Sequence, residues 1–276
     1  MFERLEFDAN GKKILCEMNG KNADMKMNIY VKRLVPGESI YINDDICETA
    51  VLLLGGKVTF GFGNRREVCE RRDPFEKKPY ALHVCKNTEI TVESETGAEI
   101  IIQQTDNENE FPFEFYTPES CLYQEFGKGQ WDGTGHRVVS TMFDYDNAPH
   151  SNLVLGEVFT KPGRWSSYPP HHHPQPEVYY YRFDKPQGFG ACYLGDDVYK
   201  STDGSYCCIE PGRDHEQAAA PCYEMYYVWM IRHNDGDPWY KTTRIVGEEH
   251  QWIIDAKKGG ERNGKNDDCA GSRQIS

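Results

Sequence analysis

The stretch YPPHHHPQPEVYYYR, Tyr168 to Arg182, sets three consecutive histidines between prolines and follows them with a glutamate. On an extended strand, residues two apart share a face, so His171 and His173 converge while His172 points the other way. Glu177 has the parity of the outer pair, across the spacer Pro174-Gln175-Pro176. Two imidazoles and a carboxylate leave a divalent ion short of a ligand. His215, just after a Pro-Gly turn in PGRDHEQ, can supply it. Three neutral imidazoles with one carboxylate suit zinc, manganese, iron, cobalt or nickel better than calcium or magnesium. Such a set keeps one or two positions open for water or substrate. Tyr179 and Tyr181 share the parity of Glu177 and are candidates to line a cavity, where a phenol donates a hydrogen bond or relays a proton. Gln217 shares the parity of His215 and is a candidate to reach a substrate hydroxyl. Arg164 and Arg182, and after them Lys161, Arg213 and Arg232, are candidates to grip a carboxylate through a planar fork or point charge.

The elements that must carry these residues are short and strand-like. VLLLGGKVTFGFG (51–63) reads as two apolar runs joined at a Gly-Gly turn, a hairpin signal. YALHV, EITVES and AEIIIQQ follow at the spacing of an all-β sandwich or barrel, and NLVLGEVFT, EVYYYRF, GFGACYL, SYCCIEP and YEMYYVWMI repeat the habit. Residues 79–102 lie without gaps on 205–228 at an offset of 126, which two copies of one β-barrel explain. That offset puts His215 on Glu89; at 129 the first-strand ligands fall on Ile42, Asp44 and Glu48. The first copy is therefore expected to be metal-free, with His83 a surface or satisfied histidine. Residues 107–129 read as a linker. The expected division is an N-terminal barrel over 1–115, a metal-binding barrel over 116–257, and a polar, mobile tail over 258–276.

Composition narrows the function. The 276 residues hold 31 basic and 44 acidic side chains, a net charge of −13, which argues against a nucleic-acid surface. An acidic ligand must then be held by a local basic pocket against the overall field. The N-terminus MFERLEFDANGKK is not a signal peptide, and no apolar run nears the roughly 20 residues of a membrane helix. Ten cysteines form no CxxC and read as reduced thiols of a cytoplasmic protein, with Cys207 and Cys208 packing in a strand.

H-x-H-x3-E followed by Pro211-Gly212-Arg213-Asp214-His215 resembles the cupin superfamily pattern, with the glycine one place early. GEVFTKPGRWSSYPPHHH, EVYYYRF with PQGFG, and PGRDHEQAAAPCYEMYYVWM resemble the 5-deoxy-glucuronate isomerases of inositol breakdown. NRREVCERRDPFEKKPYALHVCKNTEITVESETGAEI resembles their first barrel, so the likeness covers most of the chain. The 4-deoxy-5-keto-uronate isomerases of pectin and uronate breakdown are similar too. The resemblance implies an all-β bicupin of two tandem jelly-roll barrels with the metal in the second, held by His171, His173, Glu177 and His215. It also implies one divalent transition metal per chain, zinc or manganese ahead of iron, cobalt or nickel, a small sugar-acid substrate and a homo-oligomer. The implied reaction is aldose–ketose isomerisation of a deoxy-uronate, in which a metal polarises carbonyl and hydroxyl while a proton moves between neighbouring carbons. Glu177 and Tyr181 are the candidates to move it. Arg182 faces away from the metal by strict alternation, so its candidacy rests on the resemblance. Two differences from the isomerases stand out: the Pro-Gln-Pro spacer is short, and Ala191, Cys192 and Tyr193 stand where a Gln-Arg pair is usual. A 4-deoxy-5-keto-uronate isomerase, an Fe(II) dioxygenase and a non-catalytic sugar-acid binder are the other readings of the same ligands.

Overall fold

The computed structural model describes residues 1–76 and 78–258, so the tail expected over 258–276 lies, after its first residue, outside the described residues. β-Branched and aromatic runs punctuated by glycine and proline give strands throughout, and among the described residues Gln251–Lys258 is the one α-helix. The strands form three sheets. In the first half, the order is Glu114–Tyr116, Ala81–Val84, Cys47–Phe62, Ala98–Asp106, Asn28–Leu34, Lys12–Cys16. In the second it is Phe2–Arg4, Ser205–Ile209, Glu177–Phe183, Met225–Arg232, Leu153–Thr160, Arg137–Phe143, Leu122–Phe126. Position for position, the first six members correspond. A second layer also corresponds: Arg65–Arg71, the far half of Cys47–Phe62, Ile90–Ser94 and Glu38–Ile42 in the first half. In the second half it is a separate sheet of Asp197–Thr202, Phe189–Leu194, His215–Ala219, Trp165–His172 and Ile245–Val246.

Four sequence expectations change. The Gly55-Gly56 pair is not a hairpin turn: Cys47–Phe62 runs through it as one strand, with a register shift between Leu53 and Gly55. Gly56 has φ 101°, and a Cβ there would sit 2.5 Å from the Gly97 carbonyl oxygen, so glycine lets one strand bend from one layer into the other. The supposed linker over 107–129 carries the strands Glu114–Tyr116 and Leu122–Phe126. The boundary at 115 does not contain the N-terminus, because Phe2–Arg4 pairs with Ser205–Cys207. The gapless offset of 126 is out of step by one residue at the site: Ile90 and Val92 face inward in the first half, while Glu89 is exposed. A slip of one residue exchanges the two faces of a strand.

Three apolar cores result. Ile90, Val92, Val51 and Leu53 fill the first half, and Tyr179, Tyr181, Cys207 and Tyr227 belong to the second. Between the large sheets, Leu52 and Leu54 pack with Val178, Tyr180, Tyr206 and Cys208. Cys207 and Cys208 thus pack into different cores, as alternation requires, and the described cysteines are free thiols. Two polar groupings join the halves. Arg71 and Glu157, both fully buried, pair at 2.7 Å, and Tyr226 donates to the same carboxylate oxygen at 2.6 Å. Glu48 accepts from the backbone of Asn152 and from Ser151, and pairs with His83 at 2.8 Å. His83 is therefore a buried histidine paired through Nε2, with Nδ1 left without a partner among the described residues, and Glu48 belongs to the contact between halves.

Candidate functional site

His171 and His172 end the Trp165–His172 strand, and His173 follows it. Prolines at 169 and 170 donate no backbone hydrogen, so the ladder to the neighbouring strand lapses between Ser166↔Gln217 and His171↔His215. Ser167 bulges there with φ 51°. Pairing resumes at His171, which lies directly opposite His215. Glu177 begins its own strand between Ile209 and Ile231. His171, His173, Glu177 and His215 are all buried. His172 faces the other way, half-buried, its Nδ1 2.7 Å from Asp214.

The backbone settles the chemistry of the three inward rings. The Nδ1 atoms of His171, His173 and His215 lie 2.8, 3.0 and 3.1 Å from the carbonyl oxygens of Pro169, Gln175 and Arg213. A carbonyl only accepts, so each Nδ1 carries the proton and each neutral ring presents its Nε2 lone pair. The Nε2 atoms of His173 and His215 both lie 3.2 Å from Glu177 Oε2. Lone pairs facing a carboxylate repel, and a second ring proton or a metal ion between them relieves this. Burial opposes charge on Glu177, but the contacts with His173 and His215 outweigh it and hold the carboxyl at about 2. Burial also works against a proton on His215, yet Glu177 raises its pKa above the usual value. Burial, then His215, pushes His171 well below. His173, Glu177 and His215 offer ligand atoms within 4.8 Å of one another and could hold a metal ion. The His171 ring stands beside them, its centroid 4.7 Å from that of His215. The Nδ1–carbonyl bonds are the outer partners that metal-binding histidines require.

A cavity of about 120 Å³ opens onto Glu177, lined also by Arg137, Ser167, Tyr179, Lys241 and Arg244. Tyr179 keeps its sequence-assigned place: its hydroxyl pairs with Ser167 Oγ at 3.3 Å, and burial drives its pKa well above the usual range, so it stays protonated. Tyr181 and Gln217 face inward but satisfy each other, the phenol donating to Gln217 Oε1 at 2.8 Å, and neither lines this cavity. Arg182 lies on the opposite face, tied to Glu99 at 2.6 Å and Asp203 at 2.9 Å. Arg164 is likewise not among the lining residues, and Lys161, Arg213 and Arg232 pair with Glu224, Asp197 and Asp235. Sequence reasoning missed Arg137, Lys241 and Arg244. The only local sign of Arg137 is its place at the head of a strand after the glycine-rich turn GTG.

Lys241 and Arg244 belong to a strap that follows the Met225–Arg232 strand and pairs Ile245–Val246 with His171–His172. Its root is His233, whose Nδ1 accepts from Trp239 N at 2.9 Å, leaving the proton on Nε2. Burial pushes His233 from the usual 6.5 down to about 4. Below pH 6.5 the unfolded chain takes up a proton that the folded chain refuses, so stability falls as pH drops from about 6.5 toward 4. The loss from this group amounts to at most about 3 kcal/mol. Urea unfolding at pH 7 and pH 5 should show a shallower loss in His233→Asn than in the unaltered protein; equal losses would clear His233 as a cause.

A family model described as the KduI/IolB family matches residues 1–253. A 5-deoxy-glucuronate isomerase of Bacillus licheniformis is 27% identical over 265 residues, covering 90% of this chain and 95% of the relative. That of Halalkalibacterium halodurans is 30% identical over 200 residues, covering 67% of this chain and 71% of the relative. The crystal structure of an IolB-like protein from Salmonella typhimurium superimposes with a TM-score of 0.74 at 25% identity, covering 83% and 90% of the two chains. Oxalate decarboxylase, at 12% identity and a TM-score of 0.61, shares the fold, as does a cupin 2 conserved barrel protein from Leptotrichia buccalis at 12% and 0.50.

Proposed function

The chain belongs to the KduI/IolB family and is an enzyme, and on that premise we propose that it is a metal-dependent aldose–ketose isomerase of a deoxy-uronate, 5-deoxy-glucuronate first. The observation that carries the reading is the convergence of two carbonyl-oriented Nε2 atoms on Glu177 Oε2 in a buried site. His173, Glu177 and His215 would hold the ion, with His171 beside them as the fourth ligand and zinc or manganese as the occupant. When bound, such an ion supplies Lewis acidity toward adjacent carbonyl and hydroxyl oxygens. A carboxyl held at about 2 is a weak base at neutral pH, so Glu177 serves as ligand and fixed negative charge rather than as proton acceptor. The protonated Tyr179 hydroxyl, held by Ser167, donates a hydrogen bond to a substrate oxygen in the cavity. Tyr181 is committed to Gln217 outside the cavity and is not the group that moves the proton. Corresponding strand orders in the two halves support a bicupin with its metal centre in the second barrel. Among the described residues no helix is long and apolar enough to cross a membrane. We place the enzyme in the cytoplasm as a homo-oligomer.

The test is NMR observation of 5-deoxy-glucuronate incubated with manganese- or zinc-loaded protein. A ketose product that vanishes on chelation is expected. Turnover of 4-deoxy-5-keto-uronate alone would move the substrate within the family, and oxygen uptake without ketose would replace isomerisation with oxidation.

A further inference from the structure

Resting on that reading, we propose that Arg137 is the carboxylate anchor of the site, so that it fixes which end of a sugar acid faces the His173–Glu177–His215 cluster. Three arginines are buried among the described residues: Arg71, Arg137 and Arg232. Arg71 is paired with Glu157, and Arg232 with Asp235 and Asp106. Arg137 has no carboxylate among the described residues. Its Nη1 donates to Gly135 O at 2.9 Å and its Nη2 to Tyr168 O at 3.2 Å, while the guanidinium lies 5.4 Å from the centre of the Phe126 ring. A guanidinium has five N–H donors, so these two bonds orient the fork and leave donors to spare. Burial without an acid partner pulls its pKa down to about 10. An uncompensated buried cation is costly, and in a chain with 44 acidic residues a partner was available in composition but not supplied in place.

The anion that compensates it enters through the cavity, which Arg137 shares with Glu177. The other two cations there have different standing. Lys241 is committed to Asp144 at 2.8 Å, whereas Arg244 is exposed at the rim, its guanidinium 5.8 Å from the centre of the Trp239 ring. Arg244 therefore adds positive field at the entrance, and Arg137 makes the directed contact. Arg137 and Glu177 line the same small cavity, so a sugar acid whose carboxylate is held by Arg137 turns its other end toward Glu177 and the buried cluster. A neutral sugar of the same size gains no such contact.

Calorimetric titration of the metal-loaded full chain with glucuronate and with glucuronamide, its uncharged counterpart, tests this. The unaltered protein should bind the acid at least about tenfold more tightly, as expected for a charge-assisted contact. Arg137→Gln should bring the two affinities together by weakening the acid alone. Equal binding of acid and amide by the unaltered protein overturns the assignment, and so does a preference that survives in Arg137→Gln. A variant that cannot be recovered folded would mark Arg137 as structural and overturn it too. A chain that binds glucuronate through Arg137 but isomerises no deoxy-uronate loses the isomerase reading and keeps this anchor. One that isomerises with no acid preference does the reverse.

Discussion

Glu177→Gln should strip most of the bound metal and lower turnover by at least about 10–100-fold, with little change in overall structure. The amide keeps the size of the carboxylate but loses the charge on which His173 and His215 converge. It also places a donor or a neutral oxygen where two lone pairs already point. The two rings cannot turn away to compensate, since the Gln175 and Arg213 carbonyls hold their Nδ1 protons. Elemental analysis after dialysis gives the metal content, and the NMR assay gives the rate. His172→Ala is the matched control, because that ring pairs with Asp214 on the outer face and should leave both quantities within a few-fold. Unchanged metal content in Glu177→Gln would dismantle the proposed centre; equal losses in both variants would reduce the effect to disturbance of the strand.

The largest effect on stability is expected at Arg71. Arg71→Met should cost about 3–5 kcal/mol in urea unfolding, because it leaves Glu157 charged and buried with only Tyr226 to meet it. Removing both charges in Arg71→Met with Glu157→Leu should recover much of that loss, since an apolar pair needs no solvation. It leaves the Tyr226 hydroxyl without its acceptor, at about 1–3 kcal/mol, and adding Tyr226→Phe should return that part. Arg71 also donates to Leu53 O at 2.8 Å and Pro74 O at 2.9 Å, so recovery should stop short of complete. If the double variant is no more stable than Arg71→Met, the loss comes from those carbonyl contacts within the first half and not from the ion pair.

Alternation let the sequence disclose which side chains share a face. His171 and His173 point inward and His172 outward for that reason alone, and Glu177 stays in phase across its proline spacer. Parity does not report depth. Tyr181 lies four residues along the strand from Glu177, about 13 Å at strand rise, and so meets Gln217 instead of the cavity. Nor does parity survive an inserted residue: the strands Ile90–Ser94 and His215–Ala219 stand one residue off the gapless offset, and the irregularity at Leu53/Gly55 lies within one continuous strand where a Gly-Gly hairpin is expected. Arg137, Lys241 and Arg244 were not legible because nothing near them in the chain marks them. They reach Glu177 only when the strand from 137 and the strap after 232 close over the same opening.

The exchanged edge has a consequence for how the chain can be divided. Phe2–Arg4 completes the sheet built from residues 122–232, while Glu114–Tyr116 completes the one nearer the N-terminus. The second half thus borrows its edge strand from the first, and a cut after residue 116 leaves the second piece incomplete. The fragment carrying His171 to His215 would present an unpaired Ser205–Ile209 edge, an invitation to strand addition by other copies. The half that carries His171 to His215 is therefore not a portable module, and moving it onto another scaffold would have to bring residues 2–4 along with it.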